Sequence, residues 1–229
     1  MDITAVRLEV PATPTAPALA LRPWHPADAT GLVAVFRDDE ALRRWASGGP
    51  HDEASALGWV REQWRLGESG ERLSFAVVET RDRTPGGRLV GHVVVKRGAL
   101  DSASAEVGYW TAAHARGRGV APRALRTLTD WVFASFPEDE VTRLELLHQV
   151  DNTASCRVAD KCGYVFDALL PAAPPAFPLD GHRHVSARGE NATGEWEKWT
   201  SCQVGKASFR GGRPAGKGEV TSDVPSGMA

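Results

Sequence analysis

The chain has 229 residues, 24% of them charged, with a formal net charge of −2. That length suits one ample domain with a tail, and that balance excludes the global basic signature of a nucleic-acid binder. No apolar run approaches the length of a membrane span, and residues 1–20 lack the basic start and apolar core of a secretory signal, so a cytoplasmic protein with no membrane or nucleic-acid partner is expected. Cys156, Cys162 and Cys202 are too few and too irregularly spaced for a disulfide framework or a metal motif. Cys156 and Cys162 are expected to pack as small apolar residues.

Residues 1–17 hold Pro11, Pro14 and Pro17 among Ala and Thr and read as a flexible arm. A first strand over residues 18–22 stops at Pro23. Pro26-Ala27-Asp28 starts a helix to about residue 37, with Leu32, Val35 and Phe36 on one face. A short helix over residues 39–46 is broken by Ser47-Gly48-Gly49-Pro50. A third spans residues 53–66, with Ala56, Trp59, Val60 and Gln63 at helical spacing. Strands over residues 73–79 and 89–96 flank a turn at Pro85-Gly86-Gly87, which is a hairpin signature.

A third strand of this series covers residues 105–111. A long helix over residues 117–135 carries Leu125, Leu128, Val132 and Phe133. Then come a strand (142–149), a helix (152–162) ended by Gly163, and a strand (164–170). Pro171, Pro174, Pro175 and Pro178 stiffen a connector, and residues 182–187 and 195–199 read as closing strands. From Ser201 the chain is Gly/Ser/Lys-rich and is expected to be a disordered tail over residues 201–229. The order predicts one α/β (α+β) domain over residues 18–200: a strand meander, then crossover units, with helices on both faces of one sheet.

The most informative run is His114-Ala115-Arg116-Gly117-Arg118-Gly119-Val120-Ala121, between a strand and a helix. A glycine-rich turn that opens a helix presents unpaired backbone N–H groups and the positive end of the helix dipole. Such a place binds phosphate, and Arg116 and Arg118 add charge to it. It is no P-loop, since no Gly-Lys-Ser/Thr follows. It is no dinucleotide fingerprint either, since Pro122 stands where the last glycine belongs.

This turn fits the pattern Arg/Gln-x-x-Gly-x-Gly/Ala. It follows a strand ending Val107-Gly108-Tyr109-Trp110 and precedes Asp151-Asn152-Thr153-Ala154-Ser155 and Val158-Ala159-Asp160-Lys161-Cys162-Gly163-Tyr164. With Leu21-Arg22-Pro23-Trp24 and Asp28-Ala29, the combination closely resembles the GNAT superfamily of acyl-CoA-dependent N-acyltransferases. The nearest branch is similar to the ribosomal-protein N-terminal acetyltransferases, and the resemblance covers residues 18–187.

The resemblance implies a mixed, mostly antiparallel sheet with a splayed central strand pair, and acetyl-CoA as co-substrate with no metal. Its pyrophosphate would meet the backbone of Gly117, Arg118, Gly119, Val120 and Ala121, with Arg116 and Arg118 as charged donors. Its pantetheine arm would bond the strand backbone of Val107, Gly108, Tyr109, Trp110 and Thr111. Asn152 would bond the same arm, and Ser155 would face the thiol and protonate the leaving sulfur. Attack by an amine needs a proton acceptor, and Glu106, on the central strand before the splay, is the candidate base. Transfer would be direct, in a ternary complex.

Each residue also has a plainer reading. Glu106 can be an ion-paired strand carboxylate, Ser155 a backbone partner and Asn152 a helix cap. His148 is expected to be structural or exposed. His182 and His184 share one strand face, but a metal pair lacks a third ligand. Trp24, Trp45, Trp59 and Trp64 are core anchors or line an acceptor cleft. The tail cations Lys206, Arg210, Arg213 and Lys217 read as a solvating run.

The expected acceptor is a protein N-terminus or a small-molecule amine. Succinyl or another acyl donor, or a non-catalytic CoA-binding module, are the alternatives. A homodimer is compatible with the sequence and not required by it.

Overall fold

The computed structural model describes residues 5–46, 49–80, 86–97 and 103–189. The expected strand at 195–199, the tail from residue 201 with Cys202 and its cations, and the boundary at 200 lie outside the described residues.

In chain order the strands are β1 (Leu8–Val10), β2 (Leu19–Pro23), β3 (Arg72–Glu79), β4 (Arg88–Arg97), β5 (Ser104–Thr111), β6 (Arg143–Gln149), β7 (Val165–Leu170) and β8 (Gly181–Ala187). The helices are α1 (Ala29–Arg37), α2 (Glu40–Trp45), α3 (Glu53–Glu68), α4 (Val120–Ser135) and α5 (Thr153–Cys162). The eight strands form one sheet in the order β1-β2-β3-β4-β5-β6-β8-β7. Every neighbouring pair is antiparallel except β5 with β6. This is the mixed, mostly antiparallel sheet that the family resemblance implies.

The N-terminal arm departs from expectation. Residues 8–10 are not loose: they pair with residues 19–21 as an edge strand, and Val10 is buried. Arg123 of α4 holds the return of this arm by donating to the carbonyls of Pro11 and Pro17. The helix expected from Pro26 begins as a 3-10 turn over Pro26–Asp28 and becomes α-helical at Ala29. Proline at a first helical position is tolerated there because its missing N–H is one no helix would use.

Two apolar layers follow from the alternation along the strands. One face of the sheet meets α4 and α5 through Phe75, Val93, Val107, Leu125, Leu128, Leu144 and Leu146. The other meets α1 and α3 through Trp24, Leu32, Ala56, Val60, Ala76 and Val78. Tyr164 is buried with its hydroxyl 2.7 Å from Thr129 Oγ1 on α4. Gly163 caps α5 with φ 75°, the left-handed conformation glycine takes without a Cβ penalty.

The insertion of β8 between β6 and β7 was not expected. It pairs His148 with His182 and Leu146 with His184. The connector before it is held by Asp180, whose carboxylate accepts from the Ala172 N–H at 2.9 Å.

Candidate functional site

The site forms where the central strands part. β5 pairs with β4 along residues 105–111. Its parallel pairing with β6 covers only residues 104–107, opposite 143–146. Beyond Val107 and Leu146 the ladder stops, while β6 continues against β8 to Gln149. The β6-facing backbone groups of residues 108–111 therefore border a gap, and backbone groups without ladder partners need others.

The glycine turn lies at the far end of β5. Residues 113–115 form a 3-10 turn, Gly117 has φ 74°, and Gly119 caps α4 with φ 72° and no side-chain bond. Both glycines lie in the left-handed region, where a side chain would be strained. A Cβ at Gly117 would meet nothing within 4 Å, so the turn opens away from the protein. Among the described residues, no well-formed backbone–backbone hydrogen bond outside the helices and strands uses the N–H groups of residues 117–121. A glycine-capped helix start of this kind, with a Pro at 122, suits an anion such as phosphate in physical terms.

The two arginines of the turn have partners. Arg116 reaches Asp39 at 2.5 Å, and the Asp39 side chain is 4% exposed. The other Asp39 oxygen caps α2 by accepting from the Leu42 N–H at 2.9 Å. Arg118 is ion-paired with the fully buried Glu79 at the end of β3. The sequence reading put both guanidiniums on phosphate. In the structure each is engaged with a carboxylate from outside the turn, 77 residues away for the Arg116 pair. Their first effect is to fix the turn against α2 and β3.

Across the gap stands α5. Asn152 is its N-cap, with Oδ1 accepting from the Ser155 N–H at 3.3 Å. The plainer cap reading thus holds, whatever else Asn152 binds. Ser155 is buried, and Tyr109 Oη–H donates to its Oγ at 3.0 Å. Burial pushes the Tyr109 phenol up to about 12, so it is a proton-bearing donor at neutral pH. The sequence reading took Tyr109 for a backbone contact and missed this side-chain role. Arg44 on α2 meets Asp151 at 2.5 Å, so α2 is tied to both the turn and the start of α5.

Glu106 is placed differently from the hydroxyl pair. It faces Lys96 in register, Nζ to Oε1 at 2.5 Å, with both side chains more than one-third exposed. By strand alternation it lies on the sheet face opposite Tyr109. The ion-paired reading is therefore what the geometry holds, with one carboxylate oxygen engaged.

Trp24, Trp59 and Trp110 surround His92 on the α1–α3 face, with centroids 5.6, 5.7 and 5.7 Å from the imidazole. Trp24 belongs to that core, and Trp59 and Trp64 pack against it, Trp64 donating Nε1–H to the Trp24 carbonyl at 2.8 Å. Trp45 lies under the Arg44 guanidinium, 4.7 Å away.

Cys162 is buried as expected, and burial pushes its thiol up to about 11. Cys156 is also buried, but its surroundings are not apolar. His148, His182 and His184 meet it, which supplies the third and fourth potential ligands the sequence reading lacked. Burial lowers His148, and it lowers His184 to about 4.

Strands that part beside an amide-rich helix start suit a long ligand with an anionic end, the architecture of an acyl-CoA-dependent acyltransferase. The acetyltransferase (GNAT) domain family matches residues 18–165, and the chain belongs to that family. No curated protein matches significantly. Among solved structures, Mycobacterium smegmatis RimJ in complex with CoA-disulfide is 24% identical, with TM-score 0.65, covering 82% of this chain and 88% of its own. The microcin C7 self-immunity acetyltransferase MccE, in complex with acetyl-CoA and AMP, is 16% identical with TM-score 0.65, covering 74% and 92%. The ribosomal-protein-S5-alanine acetyltransferase from Vibrio fischeri is 17% identical with TM-score 0.63, covering 75% and 94%. These likenesses establish the fold. No helix among the described residues is long and apolar enough to cross a membrane.

Proposed function

We propose that the chain transfers an acetyl group from acetyl-CoA to a primary amine, with a protein N-terminus as the favoured acceptor. The observation that carries this reading is the parting of β5 and β6 beside the available amides at the start of α4. The backbone of residues 117–121 would hold the pyrophosphate, and the opened edge of residues 107–111 the pantetheine amides. Asn152 would add a side-chain bond at the arm. Arg116 and Arg118 keep the turn in place through Asp39 and Glu79 and lend it charge. Acetyl-CoA supplies a thioester carbonyl open to direct attack by an unprotonated amine.

The chain's own groups divide the proton work. Tyr109 donates into Ser155, which leaves the serine hydrogen to face the leaving sulfur. The β5 backbone N–H groups at the gap would stabilise charge that develops on the carbonyl oxygen. Glu106, through its oxygen not held by Lys96, would accept the amine proton directly or through water. The protein acceptor is favoured because several structural neighbours, the Vibrio fischeri enzyme among them, bear the names of ribosomal-protein acetyltransferases.

A panel of N-terminal peptides and small amines, read by thiol release with acetyl- and succinyl-CoA, tests the reading. Peptide turnover with acetyl-CoA is expected. CoA binding without transfer to any amine would overturn it. Gly119→Glu, which sets charge and bulk against the pyrophosphate, is expected to abolish CoA binding by calorimetry while leaving the far-ultraviolet circular dichroism intact.

A further inference from the structure

The pairing of β6 with β8 builds a second constellation that acyl transfer does not use. His148 opposes His182, and His184 is the next residue of β8 on the same face. Cys156 of α5 closes over them, with Sγ 3.7 Å from His148 Nε2 and 3.4 Å from His182 Nδ1. One ligand atom from each of the four residues lies within 4.8 Å of every other. The His148 and His184 rings stack at 5.2 Å and 21°.

We propose that His148, Cys156, His182 and His184 bind one zinc ion in a closed, four-ligand site. Usual Zn–N and Zn–S lengths put tetrahedral ligand atoms roughly 3.3–3.8 Å apart. The two sulfur–nitrogen distances already meet this, and the widest pairs need to close by about an ångström. Three imidazoles and a thiol, with no carboxylate among them, suit zinc and not magnesium or calcium.

The surroundings fit as well. His148 Nδ1 lies 2.9 Å from the Gln149 carbonyl. A ring that donates there presents a bare Nε2, the atom facing Cys156, which is the usual outer-shell arrangement of a metal-binding histidine. His184 is wholly buried, and neither ring nitrogen makes a well-formed hydrogen bond, although the Tyr164 backbone lies beside it. A buried polar atom so placed is costly unless something binds it. Phe166 sets its edge against His182 and His184, with centroids at 5.2 and 5.7 Å. His148 and His182 are half-buried, which leaves a path for the ion.

On binding, the Cys156 S–H loses its proton to solvent and the thiolate bonds to Zn2+, with no change of oxidation state. Four protein ligands leave no position for water, so the ion acts structurally. It would tie α5 to the ends of β6 and β8 immediately beside Ser155. The inference does not depend on the acyltransferase reading.

The test uses the full chain, stripped with a chelator and titrated with Co2+ as a spectroscopic probe, then with Zn2+. One equivalent of cobalt is expected, with a thiolate charge-transfer band and intense tetrahedral visible bands, all displaced by one equivalent of zinc. Cys156→Ser removes the charge-transfer band. His182→Ala, at a half-buried position, weakens zinc by more than about a hundredfold, beyond what an outer-shell partner costs. Circular dichroism reports folding of each variant, and the wild-type titration decides alone if either misfolds. No stoichiometric binding, an octahedral spectrum, or a thiolate band that survives in folded Cys156→Ser overturns the site.

Discussion

At the scale of residues, the Tyr109–Ser155 pair is the arrangement with the most chemistry in it. Tyr109 is half-buried, retains its proton, and aims it at an oxygen three residues into the first turn of α5. Removing the phenol hydroxyl leaves Ser155 free to rotate, so Tyr109→Phe is expected to lower kcat by about tenfold to a hundredfold. Ser155→Ala is expected to lower it at least as much. Neither variant is expected to move the CoA dissociation constant by more than about twofold, because neither hydroxyl belongs to the turn proposed to hold the pyrophosphate. Steady-state thiol release and calorimetry separate the two quantities. A tenfold loss of CoA affinity with kcat unchanged would reassign the pair to cofactor binding. Glu106 is the contrasting case. If it takes the amine proton, Glu106→Gln lowers kcat while Lys96→Met does not. If it only pairs with Lys96, the two substitutions cost stability alike and leave kcat alone.

At the scale of elements, the glycine turn proposed to hold the pyrophosphate depends on supports that come from far along the chain. Arg118 reaches a carboxylate at the end of β3 that has no exposed surface. Breaking such a pair from one side is costly, since the buried charge remains: Arg118→Met is expected to destabilise the fold by about 3 kcal/mol. Urea unfolding measures this, and a loss of CoA affinity with no loss of stability would place the guanidinium on the ligand instead. This support was not legible in the sequence. The glycines of the turn announce their conformation locally, but ion pairs across such sequence separations are decided by the sheet. The meander of β3, β4 and β5 was legible from its β-branched runs, as was α4 from Leu125, Leu128 and Val132. The edge strand β1 was not, because three residues in a proline-rich arm carry no local signal and are ordered by pairing with β2. The histidine–cysteine cluster was half legible. The spacing of His182 and His184 put them on one face, but only the placement of β8 beside β6 sets His148 opposite them.

At the scale of the whole molecule, two apolar layers enclose a few polar groups that must stay neutral for the sheet to stay packed. His92 is the clearest. Trp24 Nε1–H donates to Ser74 Oγ at 3.1 Å, and Ser74 Oγ lies 2.9 Å from His92 Nε2. A neutral ring with its hydrogen on Nδ1 can accept the serine hydroxyl there. A protonated one would present a second donor inside a cage of three tryptophans. Desolvation first, then the charges of Arg72 and Lys96, lower this histidine from 6.5 to about 3. Between those two values the unfolded chain binds a proton that the folded chain refuses. Stability from this group is therefore full above about pH 6.5 and falls as the pH drops toward 3, by about 1.4 kcal/mol for each pH unit. His184, lowered to about 4, adds a loss of the same sign. Urea unfolding at successive pH values, in the presence of chelator, should show the midpoint constant near neutrality and declining below it. His92→Gln should remove about one proton from the slope, because an amide at that position has nothing to titrate. A wild-type profile that stays flat from neutrality down to about pH 5 would mean that the ring can be charged in place and that the tryptophan cage is not dry.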